Sequence, residues 1–363
     1  MLTRRTLLAS ATLALPACTA TSPRLRTGSI TCPPPVRAEA GRVIRTVAGL
    51  RPYRPAGFVV RAEQLGTKRL VHNYGHGGAG ITLSWGTGRL ATSLGLPGHA
   101  GAVAVVGAGA VGLATARLAQ EAGYAVTLYA KALPPETTSN IAGGQIVPAS
   151  HFTEGMVTPE WRTQYRAAMD YSWRRFQIMV GDDYSIRWVP TWLPASAEHD
   201  DGDWMAAYNP ALARFASGQH PFGDGAMIRF DTMYVETGRY LERMLADFRA
   251  AGGKIVVRGF TTPADLATLP EALVFNCTGL GSHELFGDAG LMPVRGQLAI
   301  LLPQPEIDYA YAGRDGYMFP RPDGIVLGGT FERGVWDATA QPSDIADIIA
   351  GHARTAAGWR CPA

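Results

Sequence analysis

The chain has 363 residues, 47% of them hydrophobic and 17% charged, and a formal net charge of +3. That length supports a large core and two domains, and the near-balanced charge gives no ground for a nucleic-acid or acidic-membrane surface. Four cysteines with no CxxC or Cys/His pattern give no metal site, and Cys277, inside an apolar run, reads as an inert core residue.

Residues 1–20 read as an export segment: Arg4-Arg5, an apolar run from Leu7 to Leu15, then small residues. Thr3-Arg4-Arg5-Thr6-Leu7-Leu8 resembles a twin-arginine signal. Leu15-Pro16-Ala17-Cys18 resembles a lipoprotein box that would anchor lipid at Cys18, with cleavage near Ala20 without lipid as the alternative. Residues 21–30 form a polar tether. Next come a proline-rich entry at Cys32-Pro33-Pro34-Pro35 and the run Gly49-Leu50-Arg51-Pro52-Tyr53-Arg54-Pro55.

The segment His72-Asn73-Tyr74-Gly75-His76-Gly77-Gly78-Ala79-Gly80-Ile81-Thr82 suits backbone that approaches a flat ligand and then enters a helix. Helix is expected over Thr87–Leu96, and a short linker over 97–101. Val103–Val106 is a buried-type strand that runs into Gly107-Ala108-Gly109-Ala110-Val111-Gly112 and a helix over Ala114–Ala122, with a second strand over Ala125–Tyr129. Strand, GxGxxG, helix and strand make the first unit of a dinucleotide fold, with the pyrophosphate at the helix N-terminus. The acidic residue expected after the second strand is absent; Ala130 and Lys131 stand there, with Glu136 as a carboxylate within chain reach.

Residues 151–235 are rich in aromatics (Trp161, Tyr165, Tyr171, Trp173, Trp188, Trp192, Trp204), which read as core. Helix is expected over Glu236–Ala251, strand over Lys254–Phe260 and buried strand over Ala272–Gly279. A hairpin is expected from Gly316–Pro320 and Val326–Phe331, and a last helix over Ser343–Thr355.

Several of these runs resemble the D-amino-acid oxidase family (D-amino-acid and D-aspartate oxidases). The glycine segment at 72–86 is similar to that family's signature, which implies that Gly77, Gly78, Gly80, Ile81 and Thr82 lie against a flavin. The family's Thr-rich loop is matched at Thr137, Thr138, Ser139, Gly144 and Gln145. Together with Gly107, Gly109, Ala110, Val111 and Gly112, these imply FAD as cofactor. Asn276-Cys277-Thr278-Gly279 and Pro293-Val294-Arg295-Gly296-Gln297 match further family elements. By the same resemblance Arg51 and Tyr317 bind the substrate carboxylate, as a guanidinium fork and a hydroxyl donor, while Arg54 and His76 are structural. A lid tyrosine found in some members is replaced by Gly313, so either Tyr311 substitutes or the lid differs.

The family's order of parts is rotated here, with the signature ahead of the nucleotide fingerprint. The resemblance therefore implies an α/β fold with a Rossmann-like FAD-binding domain and a mixed-sheet substrate domain, circularly permuted. Residues 56–150 and 236–290 fall to the FAD domain, and 31–55, 151–235 and 291–363 to the substrate domain. Rotation would bring Cys32 and Cys361 to one place, and an exported protein would join them as a disulfide. The implied activity is oxidation of a neutral D-amino acid to a 2-oxo acid and ammonia, with oxygen as electron acceptor, on the periplasmic side. A dehydrogenase passing electrons to a quinone or carrier, a glycine- or sarcosine-type amine oxidase, and a non-catalytic flavin-binding lipoprotein stay open as alternatives.

Overall fold

In the computed structural model, which describes residues 32–197 and 205–362, two β-sheets flank a large cavity. The stretches read as export segment and tether, with Cys18, and Trp204 lie outside the described residues. The chain begins with β1 (Val43–Tyr53), β2 (Val59–Leu65) and β3 (Lys68–Tyr74). Helix α1 (Gly80–Gly95), β4 (Val103–Val106), α2 (Ala110–Glu121), β5 (Val126–Ala130) and the short α3 (Thr138–Ile141) follow. Next come α4 (Pro159–Gln177), β6 (Ile186–Pro194), β7 (Ala213–Phe215), β8 (Met227–Val235), α5 (Thr237–Ala250) and β9 (Lys254–Val257). Then α6 (Pro263–Ala267), β10 (Leu273–Asn276), α7 (Ser282–Phe286) and the long β11 (Met292–Leu301) lead to β12 (Ala310–Gly313) and β13 (Gly316–Arg321). Strands β14 (Gly324–Gly328) and β15 (Glu332–Arg333) precede the last element, α8 (Pro342–Ala357).

One sheet has the order β2-β3-β10-β4-β5-β9. It is parallel except for β2, which pairs antiparallel with β3. All four residues of β4 are buried because both faces are covered, as parallel sheets require. Val103 and Val105 pack with Leu113 of α2 and Leu83 of α1, while Ala104 and Val106 pack with Leu266 of α6 and Leu285 of α7. The other sheet runs β1-β11-β14-β13-β12-β6-β8-β7, with β15 on β11.

Helix α1 starts at Gly80, seven residues before the expected Thr87. Its glycines are contact surfaces rather than loop. A Cβ at Gly86 would lie 1.8 Å from the Ala168 carbonyl oxygen of α4, and one at Gly95 would lie 2.8 Å from the Phe275 ring. Packing thus offsets the cost of about 1 kcal/mol that each glycine brings to a helix. The partner helix α4 begins at Pro159 with Thr158 capping the Trp161 N–H. It comes from the stretch expected in the substrate domain, yet its apolar face joins the core of α1 and α2.

Cys32 and Cys361 form a disulfide with Cα atoms 5.5 Å apart. It spans 329 residues of sequence, and removing it is expected to cost about 3–5 kcal/mol by the loop-closure argument. Thermal melts of Cys361→Ser against the parent chain check this; superimposable melts would contradict it.

Candidate active site

The cavity measures about 1280 Å³, more than the roughly 300–1,000 Å³ of ordinary small-ligand pockets. Its two ends are built by the two sheets.

At the first end, β4 runs into Gly107, which has φ of +112°. A Cβ there would lie 2.3 Å from the Cys277 carbonyl oxygen, so only glycine fits. Gly109, Ala110 and Val111 line the cavity as α2 begins. Gly112 does not line it. It lets the helix close on the turn, since a Cβ would come within 1.9 Å of the Gly107 carbonyl oxygen. Thr137, Thr138, Ser139, Gly144 and Gln145 line the same space. Ser139 Oγ accepts the Ala110 N–H at 3.0 Å, which ties this loop to the start of α2.

Gly77, Gly78, Gly80 and Ile81 line the cavity where α1 starts. A Cβ on Gly77 or Gly78 would lie 2.6 Å from the Ser150 or Ala149 carbonyl oxygen, and the Gly78 N–H donates to Ser150 O at 3.0 Å. Thr82 is turned away from the cavity. Its hydroxyl contacts the Gln145 and Val147 carbonyls at 3.3 Å each and holds the loop against the turn. His76 is buried, with Nε2 2.9 Å from Thr87 Oγ1, and burial pushes its pKa down to about 3. It is a neutral structural group.

Ala130 and Lys131 line the cavity where an acidic residue is usual, and so does Glu136. A second carboxylate, Glu284 on α7, also lines it. No local motif marks Glu284; the turn after β10 brings it there.

At the other end, Arg51 lies on β1 opposite Val294 of β11, and Tyr317 on β13 opposite Gly328 of β14. Two glycines let both side chains lie flat across the sheet. A Cβ on Gly296 would be 2.5 Å from Arg51 Nη2, and one on Gly328 would be 2.3 Å from the Tyr317 ring. Arg51 Nη2 donates to the Thr330 carbonyl at 2.6 Å, and its guanidinium sits 5.0 Å from the Phe331 ring centre. Burial lowers the Arg51 pKa, and the nearby Tyr317 raises it. Arginine still keeps its charge at any working pH. Burial raises the Tyr317 pKa against the opposing effects of Arg51 and Arg321, so the phenol stays protonated and able to donate.

The wall around this pair is apolar: Leu193, Ile228, Phe230, Leu298 and Phe319 from four strands, then Met205 and Leu212. Sequence reasoning missed these residues, because strand order, not spacing, assembles them. Tyr311 does not substitute for the missing lid tyrosine. It is buried, its hydroxyl bonds His352 Nδ1 at 2.6 Å, and it is absent from the lining, to which Met205, Ala206, Asn209 and Leu212 belong.

Gly296→Ala should act on the anchor rather than the fold, because the three atoms nearest the added methyl all belong to the Arg51 guanidinium, the far end of a flexible side chain. We expect an unchanged melt and a KM raised about 10-fold or more, the cost of misplacing one charge-assisted contact. Kinetics like the parent's would refute the glycine floor.

A dinucleotide cradle sharing one cavity with a partly buried cation and a phenol describes a cofactor-dependent enzyme for a carboxylate-bearing substrate. Sequence comparison is more specific. The family model "FAD dependent oxidoreductase" matches residues 24–94 and 102–357, and the chain belongs to this family. It is 31% identical over 262 residues to a D-amino-acid oxidase of Streptomyces coelicolor, covering 69% of this chain and 76% of that one. It is 27% identical over 263 residues to the human D-aspartate oxidase, covering 68% and 73%. Among solved structures, glycine oxidase from Geobacillus kaustophilus superposes with a TM-score of 0.53 at 18% identity, covering 72% of this chain and 80% of that one. Iminodiacetate oxidase from Chelativorans also gives 0.53, at 16% identity over 70% and 79%. These two show the shared fold. The protein is therefore an FAD-dependent oxidoreductase. Its residues fit that cofactor: the Gly107 turn and the start of α2 would take a pyrophosphate, and Gly77, Gly78 and Gly80 line the cavity with bare backbone that would meet a flat ring.

Proposed function

We propose that this chain oxidises D-amino acids with uncharged, apolar side chains to imino acids, which water hydrolyses to 2-oxo acids and ammonia, and that oxygen takes the two electrons and two protons as hydrogen peroxide. The observation that carries the reading is the pairing of Arg51 and Tyr317 over two glycines inside an apolar wall. Arg51 supplies a fork of parallel donors for the α-carboxylate, and the Tyr317 hydroxyl supplies a further one. Leu193, Ile228 and Phe230 accept an apolar side chain and offer a second carboxylate no partner. Bound FAD supplies the acceptor for the α-hydrogen and its electron pair. Gly80 and Ile81 bring the N-terminus of α1 to the cavity, where its positive end would stabilise negative charge on a bound ring. The described residues need supply no general base, because the α-hydrogen leaves with its electrons; orientation is their main contribution. The D-configuration is supported by the relatives named above rather than by the cavity alone.

Peroxide formation in air with D-leucine, D-methionine, D-aspartate and L-leucine tests this reading. We expect turnover with the first two and little with the others. Preference for D-aspartate or the L-form would overturn it, and FAD reduction without peroxide would favour the dehydrogenase alternative.

The rotated order of parts is read as a circular permutation of the family fold. Support comes from the disulfide that joins the two ends of the described chain and from the exposed connection at 97–101, near which the family match is interrupted. A non-reducing peptide map lacking the Cys32–Cys361 pair would count against it. Export to the periplasmic side, with lipid at Cys18, is proposed from the sequence of residues 1–20. An intact mass of the cell-derived protein retaining Met1 would reject it.

A further inference from the structure

The Arg51 side chain crosses the sheet to a carbonyl that no strand holds in place. Thr330 lies in the three-residue connection between β14 and β15, outside both strands. Its position is fixed instead by its hydroxyl, which donates to Glu332 Oε1 at 2.5 Å and accepts the Gln297 backbone N–H at 3.2 Å. Glu332 is itself saturated. Gln297 Nε2 reaches Oε1 at 2.8 Å, while Arg295 Nε at 3.0 Å and its Nη2 bond Oε2. Gln297 is fully buried, bonds Asp344 and accepts the Gln341 N–H at 2.6 Å, which couples the group to the start of α8.

Strand alternation separates this cluster from the cavity. Gly296 faces Arg51, so its neighbours Arg295 and Gln297 point to the opposite face of β11. A polar cluster behind the sheet therefore grips the one carbonyl that holds the anchor in front. The Arg295 hydrogen bond is the main cause that pulls the Glu332 pKa down to about 2, so the grip is ionic at any working pH.

We propose that Glu332 is a positioning residue. Through the Thr330 hydroxyl it fixes the carbonyl that orients the Arg51 guanidinium, and thereby sets carboxylate affinity without touching the ligand. This inference rests on the reading of Arg51 as the carboxylate anchor.

The test uses FAD-loaded protein and benzoate, a flat carboxylate that suits an apolar wall, with binding followed by flavin absorbance. Thr330→Val keeps Glu332 and Arg295 paired and removes the Thr330 hydroxyl, and with it both the link to Glu332 and the acceptor of the Gln297 backbone N–H. It should raise the benzoate Kd and the substrate KM about 5- to 20-fold, as expected for one broken link in a buried set. Turnover at saturation and the melting temperature should stay near those of the parent. Glu332→Ala should match it, whereas Glu332→Gln, whose amide oxygen still accepts the Thr330 hydroxyl, should recover much of the affinity. If Glu332→Ala fails to fold, Thr330→Val decides alone. Parent-like benzoate binding in Thr330→Val, alongside weak binding in Arg51→Ala, would overturn the positioning role and leave the anchor standing. Parent-like binding in Arg51→Ala would overturn both.

Discussion

Arg51→Ala is expected to lower kcat/KM by about 10²–10³, roughly 3–4 kcal/mol, the cost of removing one partner of a buried charge-assisted pair. The cause is geometric as well as electrostatic. Arg51 is the guanidinium that lies over the Gly296 floor, and Tyr317 beside it supplies one hydrogen bond but no charge. The loss should fall mainly on KM. The FAD-to-protein ratio should hold, because the Gly107 turn and the Thr137–Ser139 loop belong to other elements. Steady-state kinetics with the flavin spectrum check both. Unchanged kcat/KM would contradict the anchor; lost FAD would mean that the two ends of the cavity are not separable.

A second large effect is acid destabilisation in a narrow pH window. Burial depresses the pKa of His76 and His151 to about 3 each and of His352 to about 4, against an ordinary value of 6.5. For His151 the neighbouring His76 adds in the same direction. The unfolded chain takes up these protons below about 6.5, while the folded chain refuses them until 3–4. Their stability contribution is therefore present in full above 6.5 and shrinks as pH falls toward the folded values. At pH 5 each histidine accounts for roughly 2 kcal/mol, about 4–6 kcal/mol together. Urea unfolding at pH 7 and pH 5 measures it, and His352→Gln should flatten the slope. The carboxylates with depressed values, among them Glu332 and Asp265, both near 2, with Glu160, Asp288, Glu306 and Asp337 also lowered, lose their contribution only below about 4.5, so they leave this window to the histidines. Equal stability at both pH values would contradict the burial argument.

The parts of the site that local spacing encodes were legible in the sequence. GxGxxG between a four-residue apolar strand and a helix places Gly107 through Val111. Arg51 and Tyr317 were legible only through the family resemblance, since flanking prolines and glycines alone do not distinguish an anchor from a surface side chain. What the sequence hid depends on strand order. Gly296 and Gly328 matter because β11 and β14 lie between the strands of the two anchors, and Thr330 and Glu332 matter because β15 returns to β11. The start of α1 was missed for a related reason: Gly80 and Gly86 lower helix propensity locally, and α4 restores the balance through contacts that begin some eighty residues later. The side-chain wall from Leu193, Ile228 and Phe230 has no periodic mark, since both faces of β6 and β8 are apolar: Trp192, next to Leu193, packs in the core behind the sheet.

The central claim is that the Arg51 and Tyr317 end of the cavity presents an apolar D-amino acid to FAD. Anaerobic mixing of the purified yellow protein with D-leucine, L-leucine and glycine tests it most directly, by following the flavin absorbance in a single turnover. The account predicts rapid bleaching by D-leucine alone, with colour returning when air is admitted. Bleaching by L-leucine, or oxidised flavin with every amino acid tried, would contradict it.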